Sequence, residues 1–260
     1  MGPEYFFENK DPKLESGFSG FFLFLDFDGT LVPIQNDPTK CMLSWDMKGK
    51  LEAIALSGKA CIALLSGRTL ADIKKRVRIQ GIYYGGSHGL EITGPNLRYV
   101  HPDALMGKQA IVTICRKIEK GISNIEGAMI EKKKFGCTLH YRMANKEGRE
   151  LIQRAFHGVI AEGGYGQSVT VIQGKKILEA APNTSWDKGG AALFILQELK
   201  TDYLPIYVGD DLTDETAFNA LKEKGITIRV GRSKKTAAKY YLKGQWEVSR
   251  LLKHLHNLIQ

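Results

Sequence analysis

Long apolar stretches are missing from this 260-residue chain. No run approaches the roughly 20 residues that a membrane span needs, so nothing in it reads as membrane-embedded. Cysteine is scarce. The four present, Cys41, Cys61, Cys115 and Cys137, show no C-x-x-C spacing, which argues against a zinc framework or a dense disulfide scaffold. They read as reduced thiols in a cytoplasmic protein. The opening residues, Met1-Gly-Pro-Glu-Tyr-Phe6, lack the basic start and apolar stretch of a secretory signal, and Phe6 stands where a myristoylation motif needs Ser or Thr. Acid is in deficit. Lys and Arg number 37 against 28 Asp and Glu, a formal net charge of +9. A surplus of that sign fits an anionic partner. The basic residues do not gather into one face interleaved with aromatics, and no recognition motif for nucleic acid is present, so nucleic acid is not the expected partner.

What is present alternates. Phe21–Leu25 is a run of apolar residues of the kind buried on both faces of a parallel sheet, and residues 21–26 read as that strand. Met47, Leu51, Ile54 and Ala55 carry helical spacing, Ala60–Leu65 reads as a second strand, Thr69 opens a helix through Val77, and 82–84 is a third strand. This order predicts a Rossmann-like parallel-sheet core with helices on both faces, an α/β fold. From 105 to 182 the pattern changes to helix, hairpin, helix, hairpin, the arrangement of an inserted α/β cap domain with an antiparallel sheet. The catalytic core is then 1–104 and 183–260, with linkers expected at 102–107 and 182–185. After Pro182 the first pattern resumes, with a helix over 186–199, a strand at 205–208, a helix over 214–223, a strand at 227–230 and a closing helix near 246–258.

Four polar clusters fall where such a sheet gathers ligands, beyond the carboxyl ends of its strands. Asp26 closes the first strand and Asp28 lies just past it, and strand periodicity puts both on one side with Phe27 turned away. Two carboxylates so close repel, so either one is protonated or a cation sits between them. Ser66-Gly67-Arg68 follows the second strand, with a hydroxyl and backbone N–H groups suited to an anion. Lys188 sits in the first turn of a helix expected to be capped by Thr184 and Asp187, where a cation opposes the helix dipole. Gly209-Asp-Asp-Leu-Thr-Asp-Glu215 follows a later strand. A cap at Thr213 accounts for Asp214 and Glu215 but leaves Asp210 and Asp211 unexplained, and a dense acidic cluster is what a hard divalent cation takes.

In this order the four clusters resemble the haloacid-dehalogenase superfamily of phosphotransferases, and more closely the trehalose-6-phosphate phosphatase family. The resemblance covers nearly the whole chain. It rests on Leu25-Asp-Phe-Asp-Gly-Thr-Leu31, Leu65-Ser-Gly-Arg68, Gly86-Ser-His-Gly89, Glu131-Lys-Lys-Lys134, His140-Tyr-Arg142, Gly174-Lys-Lys-Ile-Leu-Glu179, Trp186-Asp-Lys-Gly189 and Gly209-Asp-Asp-Leu-Thr-Asp-Glu215. The family usually has an arginine just before the proline that ends its cap, and here Ala181 stands there. The resemblance implies a Mg²⁺-dependent enzyme in which Asp26 attacks phosphorus, Asp28 serves as acid and then base, and Lys188 and Ser66 hold the phosphoryl oxygens. Asp26, Asp28 through its backbone carbonyl, and Asp210 would hold the metal, with Asp211 or Asp214 orienting its waters or Lys188. Gly67, Arg68 and His88 near the core site, and Glu131, Lys133, His140, Arg142, Lys176 and Glu179 in the cap, are the expected substrate contacts. The substrate implied is a sugar phosphate, trehalose 6-phosphate first and sucrose phosphate or a glycosylglycerate phosphate second. A trehalose-6-phosphate synthase is the implied pathway partner.

Overall fold

The computed structural model describes residues 2–9, 11–15, 17–35, 40–174 and 176–260; Lys175 of the expected cap motif lies outside them. The chain divides into two compact units, Met1–Tyr99 with Trp186–Gln260, and Val100–Ser185.

The first unit is built on a nine-stranded sheet. Its strands and helices are β1 (Glu4–Tyr5), α1 (Pro12–Glu15), β2 (Phe21–Leu25), α2 (Trp45–Leu56), β3 (Ala60–Leu65), α3 (Leu70–Val77), β4 (Tyr83–Gly86), β5 (Glu91–Gly94) and β6 (Leu97–Val100), which leads into the inserted unit. The inserted unit holds α4 (Pro102–Ile122), β7 (Met129–Lys133), β8 (Gly136–His140), α5 (Lys146–Glu162), β9 (Val169–Gly174) and β10 (Ile177–Pro182). The first unit then resumes with α6 (Lys188–Leu199), β11 (Leu204–Gly209), α7 (Glu215–Leu221), β12 (Ile226–Val230), β13 (Tyr240–Leu242) and α8 (Val248–Asn257).

The sheet order is β1-β13-β12-β11-β2-β3-β4-β5-β6. Pairing is parallel from β1 through β4, and β5 runs antiparallel to β4. All five residues of β2 are fully buried, as an apolar strand at the centre of such a sheet requires. Leu23 and Leu25 pack on one face against α2, α3 and α8, and Phe22 and Phe24 pack on the other against α6 and α7. Burying each side chain of this size stabilises by roughly 1.5–3 kcal/mol, which is why β2 anchors the sheet. The chain builds outward from β2 through β3 and β4 on one side and returns through β11 and β12 on the other. The gap between β2 and β11 is therefore the point where strand order reverses, the usual ligand crevice of an open α/β sheet.

The inserted unit carries the antiparallel sheet β7-β8-β10-β9. One face packs Cys137, Leu139, Leu178 and Ala180 against Ile111, Ile114 and Ile118 of α4 and Ile152 and Phe156 of α5. Alternation turns Glu131, Lys133, Thr138, His140 and Glu179 to the opposite face.

Three local expectations are corrected. Residues 102–107 are no linker: Pro102 is the first residue of α4, and His101 caps it by accepting from the Asp103 N–H, since Pro suits a helix start. Thr184 does not cap the Lys188 helix; Asp187 does, accepting from Gly190 N–H at 2.9 Å, so Lys188 is the first helical residue. Thr213 caps nothing. Asp211 and Asp214 form a capping box around a single 3-10 turn, Leu212–Asp214, ahead of α7.

Candidate active site

Asp26 follows β2 at the β2/β11 crevice, with its N–H bonded to Val208 O at 3.0 Å. Its carboxylate is almost fully buried and accepts a hydrogen bond from Lys188 Nζ at 2.6 Å. Lys188, 2% exposed, also donates to Asp214 Oδ1 at 2.8 Å. Asp214 is wholly enclosed. Tyr207 OH donates to its Oδ1 at 2.8 Å, and the N–H groups of Asp210 and Asp211 each donate to its Oδ2 at 3.0 Å. Four donors thus occupy both oxygens of Asp214 and fix Lys188 and the Asp210–Asp211 backbone at once. Thr30 Oγ1 donates to Asp210 Oδ1 at 3.3 Å.

Carboxylate oxygens of Asp26, Asp210 and Asp214 lie within 4.8 Å of one another. Burial pushes the Asp26 carboxyl up to about 8, with Asp214 and Asp210 adding repulsion that Lys188 offsets only in part. Asp210 is pushed up to about 6, by burial first and then by Asp214 and Asp211. Burial opposes the charge on Lys188, but Asp26 and Asp214 outweigh it and hold the ammonium above its usual range. The two partners therefore pull in opposite senses, one towards a neutral acid and the other towards a charged base. The 2.6 Å Asp26–Lys188 contact is that of an ion pair, a carboxylate held against an ammonium. Three carboxylates against one ammonium leave the cluster short of positive charge, and an oxygen-seeking divalent cation fits that donor set. Asp26 and Asp210 are the carboxylates able to reach such an ion, because Asp214 is spent on its four donors. Asp211 is exposed and accepts from Leu212 N–H, which makes it a cap rather than part of the cluster.

Asp28 turns elsewhere. The strand ends at Leu25 and Gly29 takes φ +86°, so the alternation expected to align Asp26 with Asp28 stops before it reaches them. Arg68 grips Asp28 with two parallel bonds, Nε to Oδ2 at 2.6 Å and a terminal nitrogen to Oδ1 at 2.7 Å. The same guanidinium reaches Asp72 at 2.9 Å and covers the Phe27 ring. No shared cation is needed to relieve an Asp26–Asp28 repulsion, because each carboxylate has its own basic partner. Ser66 is buried at the end of β3, its Oγ accepting from Arg68 N–H at 3.2 Å. His88 stands on a left-handed turn (Ser87 φ 51°, His88 φ 58°) that lays its ring against Gly67, where a Cβ would meet the ring at 2.9 Å. A Trp186 indole N–H to Gly89 O bond of 2.9 Å ties that turn to the segment leading into Lys188.

On the open face of the inserted sheet, Lys133 pairs with Glu179 at 3.0 Å and His140 Nε2 lies 3.1 Å from Glu131. Lys176 is exposed in the β9–β10 turn, and Arg142 is exposed just past β8. Thr30, Tyr207 and Trp186 were not expected from the sequence as site residues. Thr30 lies inside a motif already singled out. Tyr207 carries a weaker signal, the lone hydroxyl in the apolar strand before Gly209-Asp-Asp.

The trehalose-phosphatase family profile matches residues 24–245 of this chain. The probable trehalose-phosphate phosphatase D of Arabidopsis thaliana is 34% identical over 90% of this chain and 66% of its own length. A trehalose-phosphate phosphatase of Mycobacterium tuberculosis is 36% identical over 80% of this chain and 53% of its own. The chain therefore spans between about half and two thirds of the length of these relatives. Among solved structures, a trehalose-6-phosphate phosphatase related protein superposes with a TM-score of 0.76 at 23% identity, covering 91% of this chain and 97% of that one. The C-terminal domain of a Candida albicans trehalose-6-phosphate phosphatase gives 0.74 at 22% identity, covering 99% and 98%. These likenesses show the fold, and the profile match across most of the sequence shows that the chain belongs to the trehalose-phosphatase family.

Proposed function

We propose that the chain is a Mg²⁺-dependent phosphatase that hydrolyses trehalose 6-phosphate to trehalose and inorganic phosphate. The observation that carries this reading is the buried Asp26 carboxylate held 2.6 Å from Lys188 at the strand-order switch. An Asp26 oxygen attacks phosphorus, the bond from phosphorus to the sugar oxygen breaks, and that oxygen leaves with its electron pair and takes a proton from Asp28. Water then attacks the aspartyl phosphate and gives a proton to Asp28, and phosphate departs from the restored Asp26 carboxylate. Lys188 and Ser66 hold phosphoryl oxygens, with Gly67 and His88 beside them; positioning and charge do most of the work in such transfers. Asp26 and Asp210, with the Asp28 backbone carbonyl, would hold the Mg²⁺, which offsets charge between carboxylate and phosphate. Arg68 has two uses: an anionic substrate that draws its guanidinium releases Asp28 for proton transfer. The inserted unit acts as the specificity cap, its Glu131, Lys133, His140, Arg142, Lys176 and Glu179 serving the sugar hydroxyls. The setting is the cytoplasm, with a trehalose-6-phosphate synthase supplying the substrate; among the described residues no helix is long and apolar enough to cross a membrane.

Phosphate release from trehalose 6-phosphate, sucrose phosphate, a glycosylglycerate phosphate and 4-nitrophenyl phosphate, with Mg²⁺ or with EDTA, tests the reading. Trehalose 6-phosphate is expected to give the highest kcat/KM, EDTA to abolish turnover, and Asp26→Asn to remove it with every substrate. Equal use of all four esters, or full activity in EDTA, would overturn it.

A further inference from the structure

Two buried side-chain polar atoms lack a hydrogen-bond partner among the described residues, and one of them is Thr138 Oγ1. Thr138 is 2% exposed and stands in the middle of β8, with Cys137 and Leu139 on either side of it turned into the helix-packed core. Its side chain therefore belongs to the open face of the sheet. Its cross-strand partners on that face are Glu131 of β7 and Glu179 of β10, so the hydroxyl sits between two carboxylate-bearing residues in one row. Neither accepts from it. Glu131 faces His140, and Glu179 is drawn to Lys133. A Cβ added at Gly136, the next open-face residue of β8, would meet Glu179 Oε1 at 3.0 Å and Lys133 Cδ at 3.5 Å, so that ion pair lies across the sheet beside Thr138.

A buried hydroxyl with no partner is costly, and a protein could remove that cost by placing valine there, a residue of nearly the same shape. We infer that Thr138 is a specificity-determining residue whose hydroxyl bonds a hydroxyl of the sugar half of the substrate, once that polyol has entered between Lys133 and Glu179. The inserting hydroxyl accepts from Lys133 and donates to Glu179, so both charges keep a partner, and Thr138 Oγ1 gains the one it lacks. This inference rests on the sugar-phosphatase reading above and adds to it a neutral residue that discriminates by hydroxyl position rather than by charge.

The test compares Thr138→Val, Thr138→Ser and Glu179→Ala with wild type, using trehalose 6-phosphate and 4-nitrophenyl phosphate, together with urea unfolding. Thr138→Val is expected to unfold at the same or a higher urea concentration, because a dissatisfied group has been removed. It should lose roughly tenfold in kcat/KM on the sugar phosphate, since a site built for a hydroxyl rejects poorly what it can no longer bond. The small aryl ester should stay within twofold, and Thr138→Ser should recover most of the loss. Two results overturn the inference while leaving the sugar-phosphatase reading in place. In one, Thr138→Val keeps wild-type kcat/KM on the sugar phosphate while Glu179→Ala loses it. In the other, Thr138→Val lowers stability and both substrates suffer equally, which makes the hydroxyl structural. A wild-type enzyme with no preference for the sugar phosphate over the aryl ester overturns the proposed function, and this inference with it.

Discussion

Replacing Asp214 by Asn tests how the site is held together. Its carboxylate accepts from Tyr207 OH, Lys188 Nζ and the N–H groups of Asp210 and Asp211. An amide is an acceptor at one end only. With its oxygen towards Tyr207 and Lys188, its NH₂ meets two backbone N–H groups, donor against donor, and each of those buried groups then costs about 1–3 kcal/mol. Turned round, it confronts an ammonium and a hydroxyl instead. Lys188 keeps Asp26, and one repelling carboxylate is lost, so the full cost of stranding a buried charge is not incurred. A net loss of about 2–6 kcal/mol remains from the two dissatisfied groups, a large share of the roughly 5–15 kcal/mol that holds a typical protein folded. The three tryptophans, Trp45, Trp186 and Trp246, all belong to the first unit, so fluorescence-monitored urea unfolding reads this unit directly. With a slope of about 2–3 kcal/mol per molar, the upper part of the usual range for a unit of this size, the midpoint is expected to fall by roughly 1–3 M. Turnover is expected to fall too, because Lys188 and the Asp210 backbone lose a common anchor. A midpoint within about 0.3 M of wild type, with turnover intact, would refute the claim that Asp214 organises the site.

Gly29→Ala is expected to abolish activity measured as phosphate release, because Gly29 has φ +86° and a Cβ there would fall on the Asp210 carboxylate; a fully active variant would mean that Asp210 has no fixed role. Asp28→Asn should lose far more rate on trehalose 6-phosphate than on 4-nitrophenyl phosphate, whose leaving group needs no proton, and equal losses would remove Asp28 from acid catalysis. Asp11, remote from the site, gives a pH test: its buried carboxylate accepts from Tyr240 OH at 2.7 Å, Lys239 Nζ at 2.9 Å and Lys13 N–H at 2.8 Å. Burial opposes its charge, but the Lys239 and Tyr240 bonds and the Lys13 N–H outweigh burial and depress its pKa. The stability it contributes is therefore present above the ordinary carboxylate value of about 3.9 and lost as pH falls through the lower folded value. Asp11→Asn should cost about 1–2 kcal/mol at pH 7, a gap that narrows below pH 4 in urea titrations; a gap constant from pH 7 to pH 2 would count against this.

The core strands were legible because burial on both faces leaves an apolar run that few other structures need. Ala60–Leu65 matches the observed strand residue for residue, and the strand expected over 21–26 runs one residue past the observed Phe21–Leu25. The outer strands β1, β5, β6 and β13 passed unnoticed: two to four residues each, with at least one residue in each not buried, they carry little periodic signal. Helix caps were misplaced for a different reason. Thr184, Asp187, Thr213, Asp211 and Asp214 are all competent caps in sequence, and only the backbone decides which oxygen meets which N–H. The same limit hid the split between Asp26 and Asp28. Their spacing is that of one strand face, but the strand stops first, and long-range partners, Lys188 from 162 positions away and Arg68 from 40, take one carboxylate each. Thr138 could not have been found this way, since an unpartnered hydroxyl has no signature in sequence.

The central strand β2 is flanked by β3, close in the chain, and by β11, whose pairing residues start at Leu204 opposite Phe21. The inserted unit, by contrast, is one uninterrupted segment, Val100–Ser185. On a ribosome, every residue of the inserted unit emerges before any of β11, so its antiparallel sheet and two helices can close while β2 still has an open edge. An open, fully apolar strand edge is what misfolding and aggregation exploit. The order of synthesis thus leaves the first unit unfinished for longest, and the carboxylate of Asp26 without its lysine until the chain has passed residue 188.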